Sequence, residues 1–168
     1  LTEPLQTEVT DQQITIPYDP SRSVNPYKCT DPNNKVLLSL LYHGLFAIDQ
    51  DYRAWPILCK NYQVSWDMKT YTFTLAETTF SDGSALTAAD VVASLKQAKK
   101  SEVYKGRFEY VDKISTAKDG KVEIKLKVSC ENLPVLLDVP IVKESQVDAT
   151  FPLGTGPYKL AGSESYRF

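Results

Sequence analysis

The chain contains one histidine, one methionine and three cysteines with no short spacing between them. That scarcity argues against a metal centre, which needs several His, Cys or acidic ligands at close spacing. His43 has no cysteine or carboxylate pair at ligand spacing beside it and reads as a surface or helix-end residue. Cys29, Cys59 and Cys130 are an odd number, so at least one thiol stays free. All three read as small buried hydrophobes. One disulfide is open to the chain in an oxidising space, and spacing singles out no pair. A formal net charge of −2 provides no basic field for nucleic acid or an anionic membrane. No apolar run approaches the ~18 residues that mark a membrane-spanning helix. There is no Gly-x-Ser-x-Gly elbow and no phosphate-binding Gly-rich loop, so neither a hydrolase nor a nucleotide enzyme is signalled. No signal peptide heads the sequence, and the first residue is Leu1 rather than methionine, from which a processed or trimmed product is expected.

What is present is a legible run of elements, in 168 residues that are 42% apolar and can therefore build a core. Residues 1–13 are polar without a period and are expected to be a flexible leader. Ile14–Pro17 is a short strand candidate, followed by a turn-rich stretch to Tyr27. A helix fits Asn34–His43, with Asn34 as N-cap, Val36, Leu37, Leu40 and Leu41 as apolar stripe, and Gly44 at a left-handed C-terminal position. Leu45–Ile48 reads as a strand, with Asp49-Gln50-Asp51 as its turn. Residues 60–76 alternate as a hairpin turning at Asp67-Met68-Lys69, with the row Thr70, Thr72, Thr74 on its wetter face. Ser81-Asp82-Gly83-Ser84 is a turn, and Thr87 with Asp90 forms a capping-box variant. Behind it Ala88, Val91, Val92, Leu95 and Ala98 share one helix face, and Lys96, Lys99 and Lys100 close the helix. A second hairpin runs from Val111–Ala117 through Lys118-Asp119-Gly120 to Lys121–Val128. Leu133–Val139 suits a short helix with proline in its first turn, and Tyr158-Lys159-Leu160 starts a strand. The fold class expected is α+β (mixed α/β), a mixed sheet with antiparallel hairpins and a few helices on one face.

Five of these stretches, in this order, resemble one family. They are Val24-Asn25-Pro26-Tyr27, Tyr42-His43-Gly44-Leu45, Tyr71-Thr72-Phe73-Thr74-Leu75, Phe80-Ser81-Asp82-Gly83 with Leu86-Thr87-Ala88-Ala89-Asp90-Val91, and Gly154-Thr155-Gly156-Pro157-Tyr158-Lys159-Leu160. The family is the extracytoplasmic solute-binding proteins of peptide- and nickel-type ABC importers. The resemblance implies the first lobe of a two-lobed periplasmic-binding-protein-like fold that closes on its ligand by a hinge. It further implies a peptide or other small solute as ligand, ABC permease subunits as partners, and a monomer. It implies no cofactor and no catalysis, no nucleic acid, an extracytoplasmic location, and membrane contact only through a lipid anchor outside this chain. The sequence departs from the family pattern at Ala76, where arginine is usual, and at Cys59-Lys60, where an Ala-Glu pair is common. Family members run to several hundred residues, so the chain is expected to be an N-terminal fragment that binds solute weakly or not at all on its own. Residues 35–152 are expected to be an inserted α+β subdomain. Residues 14–34 with 153–168 are expected to be strands of the main lobe.

Carried over from the family, ligand contact falls on Cys29, Thr30, Asp31, Pro32 and Asn33 after the Asn-Pro turn, with Asp31 able to meet a ligand cation. The resemblance also places Gly154, Thr155 and Gly156 at the rim of the cleft, where glycine permits close backbone approach. The plain alternative makes the first group a solvated turn and the second a connector. Trp55, Trp66 and the ten tyrosines could stack on a ligand, and most of them read as core or strand-face residues. Two other functions compete with transport. One is a ligand-sensing domain of a transcription regulator with the same fold, and the other is a small enzyme on an unrelated α+β fold, which has no catalytic constellation here.

Overall fold

A computed structural model describes residues 16–158. The leader 1–13, the start of the first strand candidate and all but Tyr158 of the last one lie outside the described residues. Ile16 and Pro17 form no strand.

The first helix, α1, spans Pro32–Leu41 and begins earlier than the sequence suggests. Its N-cap is Asp31, whose Oδ1 accepts the Asn34 amide at 3.0 Å, and proline follows at the first helical position. Proline fits there because that N–H has no helical partner in any case. Asn34 is instead buried, and its side chain pairs with both the N–H and the C=O of Asp19, which fastens the preceding loop to the helix. Gly44 is not left-handed. An added Cβ would lie 3.0 Å from backbone atoms of Phe46, Asp138 and Val139, so close approach is what requires glycine there.

Strands β1 (Phe46–Ile48) and β2 (Ala54–Pro56) form a small antiparallel ribbon. Strand β2 is only three residues long and ends in proline, so alternation gives no sign of it. Strands β3 (Cys59–Val64), β4 (Thr70–Leu75), β5 (Val111–Thr116) and β6 (Val122–Leu126) form one sheet in the order β3-β4-β6-β5. Every pairing among the described residues is antiparallel. Helix α2 (Ala88–Lys100) links β4 to β5 and packs against β5 and β6. Two hairpins thus interlock, with β6 inserted between the strands that α2 connects.

Alternation decides which face is core. Tyr71 and Phe73 of β4, Val111 and Ile114 of β5, and Val122, Ile124 and Leu126 of β6 are buried. Ala88, Val91, Val92, Leu95 and Ala98 of α2 are buried too, while Thr70, Thr72 and Thr74 are partly wet. The capping box forms as its residues require: Thr87 N–H donates to Asp90 Oδ2 at 2.9 Å, and the Asp90 amide returns to Thr87 Oγ1. Turns close at Gly83 (φ 83°) and at Asp119–Gly120 (φ 59° and 68°). Leu133–Leu136 is one 3₁₀ turn, shorter than the helix expected through Val139. Val128 lies past the end of β6 and is exposed.

The segment after this turn runs extended through Val139, Ile141 and Val142, all buried. It is stitched to α2 and to the first stretch of the chain. Val142 N–H donates to Ser94 Oγ at 3.0 Å, and Glu144 N–H donates to Asp90 Oδ1 at 2.8 Å. Tyr27 Oη donates to Pro140 O at 2.8 Å, and Asn25 Nδ2 donates to Val147 O and Ala149 O at 2.9 and 2.7 Å.

Candidate functional site

The two groups of residues singled out in the sequence sit at opposite ends of α1. Cys29–Asn33 lead into its N-terminus, and Gly154–Gly156 lie against its C-terminus. A helix of ten residues separates them by about 15 Å.

At the N-terminal end, Thr30, Pro32 and Asn33 are exposed and Asp31 is half-buried. Asp31 has a structural task as the cap, but only Oδ1 is engaged in it. Cys29 is buried, donates from Sγ to Asp31 O at 3.7 Å, and has its thiol pushed up by burial. A thiol so placed is a packing group rather than a nucleophile. Cys59 is also buried, and burial pushes its thiol up to about 11. All three cysteines are free in this structure.

At the other end, Gly156 N–H donates to Leu41 O at 3.0 Å, satisfying a helix-terminal carbonyl. An added Cβ on Gly154 would meet Leu41 O and would lie 2.5 Å from Tyr42 Cδ1; on Gly156 it would lie 2.5 Å from Leu41 O. Glycine is required at both positions by the closeness of the backbones. Thr155 Oγ1 is buried and has no hydrogen-bond partner among the described residues. A buried hydroxyl of that kind is either met by something further or carries a desolvation cost of roughly 1–3 kcal/mol.

A cavity of about 470 Å³ opens along α1 between these ends, and of the eight residues only Cys29 lines it. Its charged and polar lining comes from Lys35, Ser39, His43, Tyr104 and Asp138. None of these was singled out as ligand-facing from the sequence. His43 is half-buried, and burial lowers its pKa, which favours the neutral imidazole at pH 7. Asp138 is paired with Arg107, whose guanidinium also lies 5.2 Å from the centre of the Tyr104 ring. No signal in one sequence would have joined Arg107 to Asp138, because they are 31 residues apart, Arg107 in a 3₁₀ turn at Lys105–Phe108 and Asp138 in an irregular segment. Trp55 is an exposed strand-face residue of β2 (57%), and Trp66 is a surface residue in the turn after β3 (94%). Among the described residues no three His, Cys, Asp or Glu side chains are grouped to hold a metal ion. No described helix is long and apolar enough to cross a membrane.

Three comparisons bear on this arrangement. Residues 54–166 match the family described as "Bacterial extracellular solute-binding proteins, family 5 Middle". The glutathione-binding protein GsiB of Salmonella typhi is 28% identical over 151 residues, covering 82% of this chain and 30% of that protein. GsiB of Pectobacterium atrosepticum is 31% identical over 151 residues, covering 82% and 29%. The chain therefore spans about 30% of the length of these relatives. Among solved structures, the periplasmic binding protein AgaA of A. tumefaciens in complex with agropinic acid aligns with a TM-score of 0.73 at 26% identity. That alignment covers 84% of this chain and 31% of AgaA. The oligopeptide-binding protein AppA of Bacillus subtilis, solved with a nonapeptide, aligns with a TM-score of 0.69 at 22% identity, over 84% and 32% of the two chains, and supports the fold alone. Since the family match spans most of the chain, this protein belongs to the family 5 bacterial extracellular solute-binding proteins.

Proposed function

We propose that this chain contributes the first-lobe portion of an extracytoplasmic receptor that captures a short peptide or a solute of similar size for an ABC importer. The observation that carries this reading is the family match over residues 54–166, joined to relatives whose names give glutathione, a tripeptide, as ligand. In this reading two lobes close on the solute, and the closed state docks on permease subunits. Closure is limited by how much better the closed state binds solute than the open state does. The receptor works as a monomer, performs no covalent chemistry, and meets the membrane only through its importer or a lipid anchor outside this chain. Residues 35–152 form the inserted subdomain, and residues 14–34 with 153–168 belong to the main lobe.

Within this chain the solute-facing residues are Cys29–Asn33 and Gly154–Gly156. Supporting that placement are the Oδ2 of Asp31, suited to a ligand ammonium, and the Oγ1 of Thr155, suited to a ligand carbonyl or carboxylate, neither of which has a partner among the described residues. The test is calorimetric titration of the full-length gene product with dipeptides, tripeptides and glutathione, beside residues 1–168 alone. The full-length protein is expected to bind one of these classes at least 100-fold more tightly than residues 1–168. Equal affinity, or binding of none of them, would overturn the reading.

A further inference from the structure

A second cavity, of about 500 Å³, lies between the β1–β2 ribbon, the first half of β3 and the loop at Asn132, and includes none of the eight residues discussed above. That volume is within the ~300–1,000 Å³ of small-molecule sites. Its lining is electrostatically one-sided. Arg53 and Lys60 stand among the amides of Asn61 and Asn132 and the phenols of Tyr52 and Tyr62, and no aspartate or glutamate lines it.

The two acids in the turn between β1 and β2 leave that charge available. Asp51 approaches Arg53 only to 4.0 Å, with both side chains more than two-thirds exposed (72% and 71%), a contact worth little in water. Asp49 is engaged elsewhere: Oδ1 accepts the Asp51 and Arg53 amides, and Oδ2 accepts Trp55 Nε1. Lys60 has no hydrogen-bond or ion-pair partner among the described residues. It is also the extra residue of a β-bulge, since Cys59 pairs with Leu75 and Asn61 with Thr74. A bulge takes its residue out of the ladder and re-aims it.

One wall of the cavity is aromatic. The Tyr62 ring stacks at 6.0 Å on Tyr71 and meets Phe46 edge-on at 5.9 Å, yet Tyr62 is 43% exposed. A planar apolar group can cover that exposed part without displacing another side chain. Tyr52, held at φ 58°, stands 79% exposed at the mouth.

We propose that this pocket is an accessory site for a small organic anion, a carboxylate or sulfonate joined to a planar apolar group. The anion sits between Arg53 and Lys60 and the ring lies on Tyr62. The site is independent of the solute-binding reading, because the two share no residue.

Naphthoate is the probe, and its uncharged counterpart naphthamide is the control, each titrated into the isotope-labelled 168-residue chain and followed by amide NMR shifts. Naphthoate is expected to shift the amides of Arg53, Lys60, Asn61, Tyr62 and Asn132 saturably, and to bind at least ~10-fold more tightly than naphthamide. Lys60→Glu and Arg53→Glu are each expected to weaken naphthoate about tenfold or more, while Lys60→Arg retains it. Both side chains are exposed, so the fold should tolerate the exchanges. If either variant fails to fold, the contrast between acid and amide on the unaltered chain still decides. Equal affinity for the two probes, shifts confined to other residues, or undiminished binding by a folded Lys60→Glu chain would overturn the proposal.

Discussion

Asp82 shows how an exposed turn residue can carry a pH-dependent share of stability. Lys143 Nζ lies 2.6 Å from Asp82 Oδ2, and Ser84 donates to Oδ1 from both its amide and its hydroxyl. These contacts, Lys143 first, hold the carboxyl well below its ordinary 3.8. A carboxylate depressed in the folded state binds a proton more weakly there than in the unfolded chain. Its contribution is therefore complete above pH 3.8 and declines as pH falls below that value. Replacing the cation by Lys143→Met should raise the Asp82 titration midpoint toward 3.8 and flatten the acid limb of the stability curve. Side-chain carboxyl NMR across pH checks the first effect, and urea unfolding across pH checks the second. Gly154 makes a different demand. Its added methyl group would collide with the Leu41 carbonyl and the Tyr42 ring, and neither can retreat, because Tyr42 Oη is tied to Pro152 O at 2.9 Å. Gly154→Ala should cost about 3 kcal/mol, the upper end for overpacking, read as a lowered urea midpoint with an unchanged slope.

At the scale of elements, what could be read from the sequence depended on whether a signal was local. Helix α2 was legible because its cap, apolar face and closing lysines all lie within sixteen residues of its own sequence. The β3–β4 and β5–β6 hairpins were legible because period two and turn residues are local as well. The N-cap of α1 lies three residues before the expected one because Asn34, a good cap by type, is taken by Asp19, fifteen positions upstream. Strand β2 has no periodicity of its own and exists through pairing with β1. Val64 and Trp66 alternate like core residues, yet Val64 ends an edge strand with an open face, Trp66 falls in the turn beyond it, and both are exposed. The candidate site was legible as segments only. Its two groups were placed by resemblance, while the cavity between them is built by Lys35, Tyr104 and Asp138 through tertiary contact. The α1 cap also separates stability from binding in a single residue. Asp31→Ala removes the acceptor of the Asn34 amide and should cost about 1 kcal/mol. Asp31→Ser keeps a cap and should leave stability nearly unchanged. If Asp31 meets a ligand ammonium in the full-length receptor, Ser and Ala should lose affinity alike, in spite of their different unfolding midpoints. Affinity that follows stability would make Asp31 a cap and nothing more.

The whole molecule is one core crossed by a chain that leaves it and returns. Val24, Tyr27 and Cys29 from the first stretch pack in the same buried cluster as Leu95 of α2, Ile124 of β6 and Val142 of the returning segment. Asn25 and Tyr27 anchor that stretch to carbonyls at 140, 147 and 149, and Gly156 closes onto α1. These links cross both ends of the inserted subdomain proposed for residues 35–152, which makes its autonomy a quantitative question. The β3–β6 sheet with α2 keeps its internal ladder when residues outside 35–152 are removed, because both hairpins and the capping box lie inside that range. Its core then loses three buried side chains, each worth about 1.5–3 kcal/mol by apolar transfer. It also exposes the carbonyls they served, against a total stability of only about 5–15 kcal/mol for a domain. Residues 35–152 alone should therefore show native-like far-ultraviolet dichroism but a thermal midpoint at least ~10 °C below that of residues 16–158. Adding back residues 16–34 covalently should recover most of the difference, whereas Tyr27→Ala in the longer chain should forfeit part of it. Equal midpoints for the two lengths would mean that the subdomain is autonomous and that Val24, Tyr27 and Cys29 are held by it without stabilising it.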